Sequence, residues 1–98
     1  MTNYAINTLR ICVKSRNYVF GDSLLLDIRQ QKVYLVIIAS DAGKAANKKI
    51  IDKCNSFNVK YCVCFDKLTL SDVFGKNLSS VGIKDKNLAD KFLENISK

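Results

Sequence analysis

Four cysteines and no histidine set the limits on what chemistry this 98-residue chain can do. Without an imidazole, a Ser-His-Asp or Cys-His nucleophile has no general base, and a His-ligated metal site has no ligand. Cys62-Val63-Cys64 is the pair whose spacing invites a metal or redox reading. On a β-strand alternate side chains share a face, so both thiols are expected to point at one helix layer while Tyr61, Val63 and Phe65 point the other way. Cys12 and Cys54 fall on apolar helix stripes. Buried free cysteine packs as a small hydrophobe, and the spacing of the four matches no zinc ribbon. Core packing is therefore the expected role, with thiol redox chemistry as the competing one, and neither metal nor cofactor is expected. Asp41, Asp66, Asp72, Asp85 and Asp90 are scattered over cap positions and helix faces, which accounts for them without acid–base work. No enzymatic activity is expected.

The other residues that could act chemically are glycines beside cations. Gly21 stands between an extended segment and a helix, where glycine lets the backbone turn and brings the following amides close to an anion. Lys14 and Arg16 lie just before it, and Gly43-Lys44 and Gly75-Lys76 repeat the pairing at other junctions. If these junctions share one edge of a sheet, they form a basic, amide-rich rim. The chain carries 16 Lys plus Arg against 9 Asp plus Glu, a net charge of +7. Such a field attracts polyanions. The lysines of the stretch from Lys44 to Lys53 fit a solvated helix face equally well.

Hydrophobic periodicity supplies the elements that would position these residues. Thr2 to Lys14 reads as a helix, with Ala5, Ile6, Leu9, Cys12 and Val13 on one stripe and Asn3, Asn7, Arg10 and Lys14 opposite. Tyr18 to Phe20 is a short extended piece. Asp22 and Ser23 are expected N-caps for a helix over Leu24 to Gln31, apolar on most sides and so largely buried. Val33 to Ala39 is apolar throughout, as a strand covered on both faces should be. Ser40, Asp41 and Gly43 are expected to turn the chain and cap a helix from Lys44 to Ser56, whose core stripe is Ala46, Ile50, Cys54 and Phe57. Lys60 to Phe65 reads as a strand, Thr69 to Phe74 as a short helix closed by Gly75, and Ser79 to Ile83 as a strand. A final helix opens at Asp85 or Asn87 and buries Leu88, Ala89, Phe92, Leu93 and Ile96.

Helices and short strands thus alternate, and the economical packing is a three-layer α-β-α sandwich around a small four-stranded mixed sheet. Residues 1–98 are expected to form one domain, since this length allows one core and 48% apolar residues can fill it. The N-terminus shows no continuous apolar signal region, and Val33 to Ala39 is far shorter than the roughly 20 residues a membrane span needs. A cytoplasmic location is expected, with reduced thiols and no membrane partner.

The segment LVIIASDAGKAANKKIIDKCNSFNVKY, the FGK at Phe74 to Lys76 and VGIKDKNLADKF at Val81 to Phe92 resemble the kink-turn-binding ribosomal-protein superfamily that includes L-seven-Ae and the Gadd stress proteins. The resemblance is strongest to its bacterial YlxQ-type branch and covers nearly the whole chain. It implies an RNA-binding ribosomal or ribosome-associated protein that grips a kinked, kink-turn-like RNA helix by one rim. No small-molecule substrate is implied. By this resemblance Gly21 brings its helix N-terminus into the bent duplex, with Asp22 and Ser23 in the base-reading positions. The turn after the central strand maps to the stretch from Asp41 to Lys44, and the loop that packs against an extruded nucleotide maps to Gly75, Lys76, Asn77, Leu78 and Ser79. Phosphate contacts are expected from Arg10, Lys14, Arg16, Arg29 and Lys44. The chain departs from the pattern of strong binders at Ser23, Leu24 and Leu26 or Asp27, where Asn or Lys, Glu or Gln, and Lys are usual. An acidic Asp27 beside a phosphate would repel it. That departure leaves open a second class, a protein-interaction module on the same fold without specific RNA recognition.

Overall fold

The computed structural model describes residues 2–96. Residues 1, 97 and 98 of the expected 1–98 domain lie outside the described residues. The helices are α1 (Thr2–Ser15), α2 (Asp22–Arg29), α3 (Lys44–Ser56), α4 (Lys67–Phe74) and α5 (Lys86–Ile96). They alternate with the strands β1 (Tyr18–Val19), β2 (Leu35–Ile38), β3 (Tyr61–Val63) and β4 (Ser80–Ile83). The strands form one mixed sheet in the order β1-β4-β2-β3, the architecture expected from the alternation of elements. β4 runs antiparallel to both β1 and β2, while β3 pairs parallel to β2.

β2 and β4 are buried at every position, as central strands must be when helices cover both faces. Alternation then divides the core. Leu35 and Ile37 join Val81 and Ile83 beneath Leu9 and Cys12 of α1, Leu70 and Phe74 of α4, and Phe92 of α5. Val36 and Ile38 face Leu24 and Ile28 of α2 and Cys54 of α3. Each fully buried Leu or Ile of this kind contributes about 1.5–3 kcal/mol relative to an exposed side chain.

Gly82 sets how closely α2 approaches. A Cβ built there would lie 2.6 Å from Leu24 Cδ1, 2.9 Å from Val33 Cγ1 and 3.2 Å from Val19 Cγ1. Only a missing side chain in β4 lets Leu24 sit against the strand backbone.

Four helices end in the same way. After α1, the Asn17 amide donates to Cys12 O at 3.0 Å and the Arg16 amide to Val13 O at 3.2 Å, with Arg16 left-handed at φ 59. Gln31, Asn58 and Gly75 close α2, α3 and α4 with φ of 56, 61 and 67, and the amides of Lys32, Val59 and Lys76 reach back to Asp27, Cys54 and Ser71. These are Schellman closures, and three of the four force a non-glycine residue into the left-handed region.

Several sequence expectations are corrected. Asp22 and Ser23 are not N-caps: the cap is Gly21, and both lie inside the first turn of α2. α2 is not apolar and buried on most sides, because Leu26 is exposed while Asp27 is buried. β2 is shorter than Val33 to Ala39, and β3 ends at Val63. Ala46 is exposed rather than on the core stripe, and Ile96 is exposed at the end of α5. Phe65 does not face away from the thiols. A left-handed φ of 62 turns the chain after Cys64 and swings the ring into the α1/α5 layer, edge-on to Phe92.

Candidate nucleic-acid interface

β1, β2 and β3 are mutually parallel and β4 opposes them, so the chain leaves β1, β2 and β3, and enters β4, at one end of the sheet. All three glycine junctions therefore share that end. Gly21 follows β1, Gly43-Lys44 follows β2, and Gly75-Lys76 precedes β4. With β4 between them, β1 and β2 are separated by roughly 10 Å.

The helix N-termini are of two kinds. Asp66 caps α4 at this end by accepting from the Thr69 amide at 2.7 Å, and at the opposite end, where the chain leaves β4, Asp85 accepts from the Leu88 amide at 3.0 Å at the start of α5. Hydrogen bonds from Thr69 hold the Asp66 carboxyl below its ordinary range. By contrast, α2 and α3 begin at glycines, and neither N-cap has a side-chain hydrogen bond. Gly21 adopts φ 68, ψ −144 and Gly43 φ 97, ψ 143, conformations that L side chains rarely enter. Their first-turn amides and helix dipoles are thus left without a side-chain cap, an arrangement suited to anions.

Beside the Gly21 end lies an open cleft of about 740 Å³, lined by Val13, Arg16, Tyr18 to Ser23 and Lys76. Arg16 arrives there because the Schellman closure of α1 fixes it between helix and edge strand. Lys76 arrives through the loop after α4, where its Nζ lies 5.6 Å from the centroid of the Phe20 ring. Phe20 in turn stacks on Tyr18, with centroids 6.3 Å apart and planes at 16°. The loop is pinned by Ser71, whose Oγ donates to Leu78 O at 3.0 Å and accepts from the Leu78 amide at 3.1 Å.

The expected site residues separate into those the fold gathers and those it does not. Arg16, Gly21, Asp22, Ser23 and Lys76 meet in the cleft. Gly75 and Asn77 are exposed on the same loop, and Lys44 is exposed at the start of α3 on the same sheet end. Arg10 and Lys14 are exposed on α1 one turn apart, outside the cleft lining. Arg29 lies at the far end of α2, about 10 Å along the axis from Asp22. Leu78 is buried in the core, and Ser79 is half-buried, its carbonyl accepting from the Ala39 amide at 2.8 Å. Asp41 does not cap α3, because its carboxylate accepts from the Lys67 amide at 2.8 Å and so ties the β2–α3 turn to α4.

Two features were missed from the sequence. Tyr18 and Phe20 bring aromatic surface to the cleft; an aromatic directly before the glycine was the available signal. Asp27 is turned inward and pairs with Lys84 Nζ at 3.2 Å, its side chain only 12% exposed. Residues 27 and 84 are too far apart in sequence for that pairing to be read from local periodicity.

The cysteines separate in the same way. Burial pushes Cys54 up to about 11, and burial together with nearby Asp85 does the same for Cys12. Cys62 and Cys64 are half-buried on one side of β3, as alternation required, with Sγ atoms 3.5 Å apart. Their hydrogen bond raises Cys62 and lowers Cys64. Among the described residues, no group of three or more Cys, Asp or Glu is placed to hold a metal ion.

A mixed four-stranded sheet between two helix layers, with helix N-termini lacking side-chain caps and cations at one end, defines a small α/β domain with a basic, amide-rich rim. The chain belongs to the ribosomal protein L7Ae/L30e/S12e/Gadd45 family, which it matches over residues 5–93. It is 29% identical over 91 residues to the RNA-binding protein YlxQ of Enterococcus faecium, covering 92% of this chain and 88% of that one. It is 30% identical over 87 residues to the RNA-binding protein YlxQ of Bacillus subtilis (strain 168), covering 87% of each. Among solved structures, a Bacillus halodurans protein of unknown function superposes with a TM-score of 0.90 at 27% identity, over 96% of this chain and 97% of that one. The Giardia lamblia 15.5kD RNA binding protein shares the fold at a TM-score of 0.78 and 18% identity, over 98% and 84% of the two chains. The family membership and the similarity to YlxQ proteins bear out the resemblance read from the strand-turn-helix segment around Asp41.

Proposed function

We propose that this protein binds RNA through the Gly21 rim, without catalysis, and that its target is a kinked, kink-turn-like helix in ribosomal or ribosome-associated RNA. The observation that carries the reading is the convergence of the uncapped α2 N-terminus with Arg16 and Lys76 in one cleft. Helix amides and cations take phosphate oxygens, while small polar side chains such as Ser23 approach base edges opened by a bend. The names and family of the similar proteins support RNA as the partner. Asp27, the residue that favoured a protein-interaction module, is buried and paired with Lys84, so it places no free carboxylate on the rim.

Arg16, Lys44 and Lys76 form the inner set of cations, with Arg10 and Lys14 on the flank. Neutralising five phosphates gives a slope of log affinity on log salt of about −3.5 to −4.5. Filter binding to a kink-turn RNA and to a copy with its sheared G·A pairs replaced tests the proposal. Preference for the intact kink-turn supports it. Equal weak affinity for both would reduce the interaction to charge attraction and refute the structural specificity.

A further inference from the structure

We propose that the end of the sheet opposite the Gly21 rim holds a second RNA site, which takes an unpaired strand by stacking one base on Tyr34. Where the chain enters β2 and β3 and leaves β4, a cleft of about 400 Å³ opens, lined among others by Gln31, Tyr34, Asn58, Lys60, Lys86 and Asp90. It shares no residue with the Gly21 cleft and lies at least the length of β2, about 13 Å, from it. The second site therefore stands whether or not the rim selects a kinked helix.

Tyr34 is 49% exposed although it directly precedes a strand buried at every position. Its backbone is fixed, the amide donating to Ile83 O at 2.9 Å. Lys60 is held against the start of β2, its carbonyl accepting from the Val36 amide at 2.9 Å. Gln31 and Asn58 close α2 and α3 in left-handed conformations. Gln31 Nε2 also donates to Phe57 O at 2.8 Å, which ties the two helix ends together. The floor of the cleft is thus built of anchored backbone, while Tyr34, Lys60 and Lys86 remain exposed. A site arranged in advance loses little affinity to ordering when a ligand arrives.

The chemistry favours a single RNA strand over other polyanions. Among the described residues neither Lys60 nor Lys86 is in an ion pair, and Arg29 and Lys32 are exposed at the same end of the molecule. Among the described residues Asp90, one turn beyond Lys86 on α5, is the one carboxylate in the lining, so the cleft stays net positive. An acidic peptide would pair with the lysines and leave the tyrosine ring unused. An unpaired base covers that ring, brings its phosphates to the lysines and offers its edges to the amides of Gln31 and Asn58. A duplex keeps its bases stacked on one another and has no face to give. Where the rim also holds its helix, one molecule joins two RNA segments.

The test is fluorescence anisotropy of the full chain with a labelled single-stranded oligonucleotide of about eight nucleotides, a length that grooves of this kind cover. Tyr34→Ala is expected to weaken binding about 5- to 150-fold, the loss of one stacked base, and Tyr34→Phe to retain it. Lys60→Gln with Lys86→Gln should flatten the slope of log affinity on log salt by about 1.4, or about 0.7 for each phosphate on a single strand. Lys48→Gln with Lys49→Gln makes the same charge change at exposed positions of α3 and should flatten it far less. Amide NMR shifts on adding the oligonucleotide should gather at Gln31, Tyr34, Asn58 and Lys60. Far-UV circular dichroism and urea midpoints establish that the variants are folded. Kink-turn RNA bound by Tyr34→Ala as tightly as by wild type supports two separate sites, whereas a parallel loss of both RNAs would merge them and overturn the assignment. Wild-type oligonucleotide affinity in Tyr34→Ala, equal losses in the two lysine pairs, or displacement of the oligonucleotide by an oligoglutamate of matched charge would each overturn it too.

Discussion

Replacing Gly82 by alanine adds one methyl group in the middle of β4 and strikes at the placement of α2, the helix proposed to meet RNA. The new Cβ would sit 2.6 Å from Leu24 Cδ1 and 2.9 Å from Val33 Cγ1. Leu24 can swing its terminal methyl away, but Val33 is β-branched and has little rotamer freedom. Overpacking of this kind costs about 1–3 kcal/mol. Alanine returns about 0.5–1 kcal/mol through lower backbone entropy in the unfolded chain. The net is a loss of up to about 2.5 kcal/mol, or a Tm lowered by up to about 20 °C for a domain of this size. Because Leu24 lies three residues beyond Gly21, displacing it shifts the first turn of α2, and affinity for RNA should fall with stability. Urea denaturation of a double-mutant cycle isolates the cause. Leu24→Ala alone removes a fully buried side chain and costs about 2–5 kcal/mol. In the Leu24→Ala background, Gly82→Ala should cost about 1 kcal/mol less than in wild type, since the shortest contact is gone. Strict additivity of the two changes would refute the claim that Gly82 sets the helix-to-sheet distance.

Arg16→Gly should separate binding from stability: a glycine relieves the left-handed φ of 59, so stability should hold or rise by up to about 1 kcal/mol, while the salt slope of RNA binding shrinks by about one. A destabilised variant with undiminished affinity would contradict both roles. Gly21→Ala should lose about 1–3 kcal/mol by urea midpoint although a Cβ there meets nothing within 4 Å, because the penalty lies in the backbone conformation itself; an unchanged midpoint would count against it. Asp66 is held below its ordinary range by Thr69, so its contribution is present above the unfolded value of about 4 and disappears as pH falls through the lower folded value. Wild type should therefore lose stability more steeply than Asp66→Asn across that acidic window, and identical pH profiles would remove the cap from the account.

The layers and most of the elements were legible in the amino-acid pattern, because periodicity reports local geometry. The unbroken apolar run around Val36 had to be a covered strand, and the stripe Ala5, Leu9, Cys12 had to be a buried helix face. The alternation that placed Cys62 and Cys64 on one face was equally local. It failed two residues later, where Phe65 enters a left-handed turn that propensity gives no reason to expect in an aromatic residue.

The candidate site was half legible for the same reason. Glycine followed by a helix marked Gly21 and Gly43, since only that residue type supports the required backbone. Whether those glycines met depended on strand order and direction, which pair residues far apart in the chain. Tertiary structure alone placed Lys76 over Phe20, buried Leu78, turned Asp41 toward Lys67 and gave Asp27 its partner in Lys84. Side-chain type fixes what a residue can do locally, whereas its partners are set by the packing of segments that sequence distance does not order.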